Sequence, residues 1–357
     1  MDLDGLSELR AEFNARGWTR KATGAVLGEL AVHVTLTLGG YLVFLLAEST
    51  WISLLGMLVS IYGTLGVSTN THTSTHGGTS EKRWVNELFS YFGYPFFVNL
   101  SYTYWRQTHI VLHHPAPNVM GVDGDHNFKP FFASTDREIR ESKGRARTYY
   151  QRYQIYVFAL IAWAHTFSRQ VRSWIWVIGA LRDPKRRKTA HWIDLAAMIG
   201  YWVFWVVIPA FFLPLPLVLG ANFLRIAGIG YPLFAILAPA HYPHDTPCVT
   251  RGSWAKDFLW LQTMTTIDYR AGRFGGFVCS GLQYQIEHHL FPSYSHVFYP
   301  KMAPLVRAFC EARGYPYRCF GWGEALLKVF VIFIRPKREV SDLEAMRTVI
   351  EEREALS

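Results

Sequence analysis

Long apolar runs alternate with polar stretches along this chain, and the long runs come in two pairs. The first pair covers about Ala25 to Ala47 and Trp51 to Val67; the second covers about Trp192 to Leu213 and Leu215 to Ala240. A helix needs roughly 20 apolar residues to cross a bilayer core, so each run predicts one spanning helix. Only Glu48, Ser49 and Thr50 separate the first two runs, and little more than Pro214 and Pro216 the second two. Connections that short predict two helical hairpins. The expected organisation is an N-terminal segment 1–24, hairpin 25–68, an interfacial region 69–191, hairpin 192–240, a polar cap 241–335 and a charged tail 336–357.

Shorter apolar pieces fill in the rest. Leu88 to Leu100, interrupted by Gly93 and Pro95, is expected to be re-entrant or interfacial. Tyr156 to Phe167 and Val171 to Leu181 predict helices lying on the membrane surface. Ala325 to Ile334 is too short to span, and the tail after Pro336 predicts a solvated helix. The first apolar run is too long for a signal-peptide core and lacks a small-residue cleavage site, so it is expected to stay as an anchor.

Charge orients this pattern. Arg10, Arg16, Arg20 and Lys21 precede the first span, and Arg169, Arg172, Arg182, Lys185, Arg186, Arg187 and Lys188 lie between the pairs. Neither hairpin tip carries Lys or Arg, so the positive-inside rule predicts cytoplasmic termini and a cytoplasmic middle segment. The net charge of +9 suits anionic lipid headgroups. Nucleic acid is excluded as a partner, because the basic residues fall between apolar runs and form no nucleic-acid module. Cys248, Cys279, Cys310 and Cys319 have no metal-finger spacing and are expected simply to pack. Glu29, His33 and Arg225 fall within or near the spans, where ionisable groups are expected to face the bundle interior. Arg225, close to Gly228 and Gly230, predicts a late start or a kink in the fourth span.

The candidate chemistry lies in 14 histidines, several of them clustered. His72 and His76 have the four-residue spacing that puts both rings on one helical face. His109 and His113 repeat it, and His114 is expected to point about 100° away, where it can reach a second ion or a carboxylate. Gln285 and His289 repeat it again, with His288 between them. All three clusters are predicted on the cytoplasmic side, near the ends of spans. Imidazole suits iron, zinc and copper, and no cysteine lies close by in sequence. A zinc protease motif H-E-x-x-H is absent. A metal site is therefore expected, as against a metal transporter or scaffold, whose ligands would lie within the spans.

From about Val67 to Tyr317 the chain resembles the membrane fatty-acid desaturase family, especially its front-end branch. The resemblance is strongest at Ser280-Gly-Leu-Gln-Tyr-Gln-Ile-Glu-His-His-Leu-Phe-Pro292, continuing to Pro300, and at Trp105 through His114 to Asn118, Gly121 and Asp123. It implies an all-α membrane protein: four transmembrane helices in two hairpins, with a cytoplasmic helical cap holding a histidine-rich di-iron site. The implied metal ligands are His72, His76, His109, His113, His114, His288 and His289, joined by His241 just after the last span. Gln285 and His244 are possible ligands. Asp123, Asp125, Asp245, Glu287 and Asp268 are candidates to orient the imidazoles. Trp105, Phe96 and Phe97 are candidates to line an acyl tunnel, and His126 is read as an outer or exposed residue. His33, His165, His191 and His296 are read as structural.

The implied reaction is oxygen-dependent desaturation of a long-chain acyl group on coenzyme A, a carrier protein or a lipid. Two irons are the implied cofactor and dioxygen the co-substrate. An acyl or alkyl hydroxylase, or an acetylenase, is the alternative on the same scaffold. No His-Pro-Gly-Gly haem motif occurs, so a separate ferredoxin-type or cytochrome-type donor is expected, with the chain in a bacterial inner membrane. The chain departs from the family pattern at Thr73, where Asp usually follows the first histidine, at Asp268, where Asn is expected, and at Pro115-Ala-Pro117.

Overall fold

The computed structural model describes residues 3–126, 128–250 and 258–341. They are mostly helical. After α1 (Leu3–Ala15) come α2 (Thr23–Leu46) and α3 (Thr50–Thr75), which pack along each other. The close approach depends on missing side chains. A Cβ on Gly63 would lie 2.5 Å from the Thr37 backbone nitrogen, and one on Gly66 would lie 2.0 Å from His33 Nδ1. Small residues at such a contact let two apolar helices meet backbone to backbone.

The third long helix is composite. It runs from α10 (Thr189–Trp202) through a π-helical turn, Val203–Val207, into α11 (Ile208–Ala210). The fourth is α12 (Leu215–His241). Thr23–Leu46, Thr50–Thr75, Thr189–Ala210 and Leu215–His241 are each long and apolar enough to cross a membrane. Their outer faces are bare apolar side chains: Trp51 is 81% exposed and Phe211 and Phe212 are 80% and 81% exposed. A surface of that kind is costly in water and favourable against lipid.

The expected late start of the fourth span does not occur: α12 begins at Leu215. α12 runs unbroken through Arg225, Gly228 and Gly230. Arg225 is wholly buried, with its guanidinium 3.7 Å from the Trp205 ring centre. It also donates to Asn222 Oδ1 at 3.2 Å and to the Phe97 carbonyl at 3.4 Å. An aromatic face and converging oxygens shelter the charge, so the helix has no reason to break.

Between the long pairs lie α4 (Arg83–Tyr91), extended by a π-helical turn Phe92–Phe96, and α5 (Tyr102–Trp105), extended by a π-helix Arg106–His113. Then come α6 (Asp136–Glu141), α7 (Gly144–Arg152), α8 (Gln154–Ile161) and α9 (His165–Arg182). The last two expose an apolar face, with Leu160 72% and Ile175 67% accessible, as interfacial helices would. The C-terminal part holds α13 (Phe258–Thr265), α14 (Gly272–Cys279), α15 (Gln285–Leu290), α16 (Tyr299–Arg313) and α17 (Trp322–Val331).

Strands are few among the described residues. β1 (Cys248–Val249) pairs in parallel with β4 (Glu339–Val340), and β2 (Asp268–Arg270) with β3 (Cys319–Gly321). This corrects the expectation for the start of the tail, where a solvated helix was predicted. Glu339 and Val340 form a strand, and Lys337 is fully buried with its Nζ 2.8 Å from Thr246 Oγ1 and 3.2 Å from the His241 carbonyl. The rest of the predicted tail helix, 342–357, lies outside the described residues.

Candidate metal centre

Four separate segments deliver the histidines. α3 has 26 residues, about 39 Å at 1.5 Å per residue, and so outlasts a roughly 30 Å apolar slab. Its polar last turns, Ser68–Thr75, are buried against protein and carry His72, with His76 as the capping residue. α12 ends on His241. α15 carries Gln285, His288 and His289, all buried.

The second box departs from the regular helix assumed in the sequence reading. Its π-helical bonding, in which His114 N–H donates to the His109 carbonyl at 2.9 Å, widens the turn. His109 and His113 stack with ring centres 5.0 Å apart, and His114 lies 4.8 Å from His109. All three rings therefore face the same interior, and His114 does not point away.

The rings converge in two groups. His72, His76, His109 and His288 place one nitrogen each within 4.8 Å of one another, and so do His113, His241 and His289. His114 sits at the junction. Its Nε2 is 3.2 Å from that of His109 and 3.1 Å from that of His288, and its ring stacks on His289 at 4.3 Å. His72 and His109 also bring their Nε2 atoms to 2.9 Å.

Outer partners aim these nitrogens inward. His113 Nδ1 donates to Asp123 at 3.0 Å, His109 Nδ1 to Asp125 at 3.3 Å, and His289 Nδ1 to Gln262 Oε1 at 2.7 Å. His288 Nδ1 lies 3.4 Å from the Tyr299 hydroxyl. A ring whose Nδ1 proton is engaged outside leaves its Nε2 lone pair facing in. His109 and His288 each bring such an Nε2 to within 2.9–3.2 Å of the Nε2 of His72 or His114, a crowding of ring nitrogens that a shared cation would relieve. Nε2 of His76 and of His289 are buried with no partner. This all-nitrogen donor set, shielded from water, fits a transition metal such as iron.

Electrostatics keep most of these rings neutral. Burial, reinforced by neighbouring histidines, holds His76, His114, His288 and His289 well below the usual imidazole range. Burial brings His109 down to about 4 despite Asp125. His113 is the exception: burial acts downward on it too, but the Asp123 carboxylate outweighs that and raises it.

The other expected residues divide. Gln285 donates from Nε2 to His241 Nε2 at 2.9 Å, and its Oε1 is buried without a partner. Asp125 also accepts from Arg169 at 2.8 Å. Asp268 and Glu287 do not reach the imidazoles. They share the Tyr317 hydroxyl, at 2.7 and 3.0 Å, and burial pushes Asp268 up to about 6 and Glu287 well above the carboxylate range. His244 is outside both histidine groups, and Asp245 pairs with Lys328 at 3.1 Å. His126 is buried rather than exposed, between Asn118 Oδ1 and Ser134 Oγ at 3.1 Å each.

A cavity of about 500 Å³ opens beside the rings and touches His72, His109, His113 and His241. Its walls are mainly apolar. One face of α12 contributes Ile226, Ile229, Leu233 and Leu237, a helical stripe that ends on His241. Trp105 lines it as expected. Phe96 and Phe97 do not: Phe96 packs on Phe92 and Phe204, and Phe97 on Trp205.

Residues 48–321 match the family profile for fatty acid desaturases. The chain is 28% identical over 288 residues to an sn-1 linoleoyl-lipid 6-desaturase of Arthrospira platensis, covering 75% of this chain and 73% of that one. It is 30% identical over 260 residues to a Delta(5) fatty acid desaturase of Caenorhabditis elegans, covering 69% of this chain and 55% of the relative. A Delta(8)-fatty-acid desaturase of Arabidopsis thaliana is 25% identical over 338 residues, covering 89% and 71%. The chain thus spans little more than half of the nematode relative and over two thirds of the other two. With the profile spanning most of its length and every histidine cluster described above, the chain belongs to the fatty acid desaturase family of oxidoreductases.

Proposed function

We propose that this protein introduces a double bond into a long-chain fatty-acyl substrate, using dioxygen and two irons, between an existing double bond and the carboxyl end. The observation that carries this reading is the pair of inward-facing histidine groups opening onto an apolar cavity. His72, His76, His109 and His288 would hold one iron, and His113, His241 and His289 the other, with His114 adjoining both groups. The bound irons supply the oxidant that removal of hydrogen from an unactivated methylene demands, which no side chain provides.

The chain's own groups do the rest. Asp123, Asp125 and Gln262 fix the ring orientations, and the low basicity of His76, His109, His114, His288 and His289 keeps these rings as neutral donors at physiological pH. The α12 stripe and Trp105 hold an acyl chain against the histidines and exclude water. Forming one carbon–carbon double bond with reduction of dioxygen to two waters takes two further electrons and two protons. A separate ferredoxin-type or cytochrome-type donor supplies the electrons. Positive-inside charge supports cytoplasmic termini and a cytoplasmic active site in a bacterial inner membrane.

Expression in a host of defined lipid content, followed by fatty-acid profiling with and without oxygen, tests this. The expected product has lost two hydrogens and forms only with oxygen. A product that has gained one oxygen atom instead indicates hydroxylation and overturns the reading.

A further inference from the structure

The acyl cavity carries charge at one end. The lining residues Val98, Ile226, Ile229 and Leu282 are buried, whereas Gly124, Phe131, Ile161 and Arg172 are exposed, which marks the mouth. Three charged side chains line the cavity: Asp125, Arg169 and Arg172. The first two neutralise each other at 2.8 Å. Arg172 makes no hydrogen bond or ion pair with the described residues, and it stands at the mouth of a mainly apolar hollow.

The geometry points to Arg172 as the anchor for the anionic head of the acyl substrate, a phosphate ester. This inference rests on the desaturase reading above. A guanidinium offers phosphate a planar, paired set of donors, a match that survives partial exposure to water. Its place on α9 matters as much as its charge. Arg172 is three residues beyond Arg169, about 4.5 Å further along the helix axis. Arg169 is itself tied through Asp125 to His109. The cation that takes the head group is thus held one turn from the arginine that reaches the histidine cluster.

The phosphate can belong to acyl-coenzyme A or to a phospholipid, and the test separates the two. Binding of spin-labelled acyl-coenzyme A, spin-labelled phosphatidylglycerol and a spin-labelled galactolipid is measured on the full chain in liposomes, which requires no turnover. Arg172→Gln is expected to weaken one of the two phosphate carriers about ten-fold, the loss of a charge-assisted contact, and to leave the uncharged galactolipid unchanged. Arg172→Lys restores most of the affinity. Arg187→Gln, an exposed charge on the following loop, has no effect. The carrier that weakens identifies the source. Equal affinities for wild type and Arg172→Gln with both phosphate carriers, or equal weakening of the galactolipid, overturn the anchor. Turnover of the same three substrates reads the other question. No double bond in any of them by active-metal wild type refutes the desaturase reading, whatever the binding shows.

Discussion

The two histidine groups hold similar rings in different ways. In the group of His72, His76, His109 and His288, two rings leave adjacent turns of one chain segment at the end of α3, and only His109 meets a carboxylate. In the group of His113, His241 and His289, each ring comes from a different segment, and Asp123 and Gln262 grip the outward Nδ1 of His113 and His289. Where two ligands share a helix, backbone geometry sets their spacing. Where they do not, hydrogen bonds from outside must. The second group also has one imidazole fewer, with the Gln285 amide beside His241 in place of a further ring.

Removing a ring from either group breaks the comparison most sharply. His113→Ala and His288→Ala are each expected to abolish product formation while the protein still inserts. Each is expected to halve the bound iron, measured by metal analysis, since each strips a different group. Normal activity in either variant removes that residue from the site. Loss of the outer partners comes next. Asp123→Asn and Asp125→Asn each leave a ring in place but loosen its orientation, and each should cost about 10–100-fold in iron affinity or activity. Asp123 also accepts from the backbone nitrogens of Asn118 and Asp125, at 2.8 and 2.9 Å, so its loss disturbs the loop as well. Equal metal affinity in wild type and both variants, by competition with a chelator, would show that packing alone aims the rings.

Gln285→His makes the two groups more alike. It supplies a fourth imidazole beside His241, and the expected outcome is tighter iron retention with an altered rate or an altered double-bond position. Product profiling together with metal analysis checks it. Wild-type behaviour in both measurements removes Gln285 from the site.

Much of this arrangement was legible in the chain, for definite reasons. The four spans are long enough for apolar length alone to reveal them, and the four-residue spacing of His72 and His76 survives because α3 continues past Val67. What was missed lies at long range. Gln262 grips His289 across 27 residues, Arg169 reaches Asp125 across 44, and Tyr317 meets Asp268 across 49, and no local spacing announces such contacts. The direction of His114 depended on a π-helix, where a spacing rule for regular helices misplaces one ring. The cavity wall on α12 was missed, although Ile226, Ile229, Leu233 and Leu237 repeat at helical spacing up to His241. The choice of Phe96 and Phe97 rested on residue type without such a register.

The smallest expected effect concerns the carboxyl pair behind the third box, which contrasts with the carboxylates behind the second. Asp123 and Asp125 face cationic or proton-donating partners, and these hold both below the usual aspartate range although burial acts the other way. Asp268 faces Glu287 and Tyr317 instead, and burial raises it from 3.8 to about 6. A raised carboxyl binds its proton more tightly in the folded chain than in the unfolded one. Its contribution to stability is therefore full below about pH 4 and is lost as the pH rises through about 6. Asp268→Asn keeps an oxygen for the Ile286 N–H, which Asp268 accepts at 3.0 Å, and removes the titration. Its thermal unfolding temperature should be flatter than that of wild type between pH 4 and 6, with activity at neutral pH little changed. Parallel curves for the two proteins would mean that the proton resides on Glu287 throughout, and that Asp268 stays ionised against the Tyr317 hydroxyl.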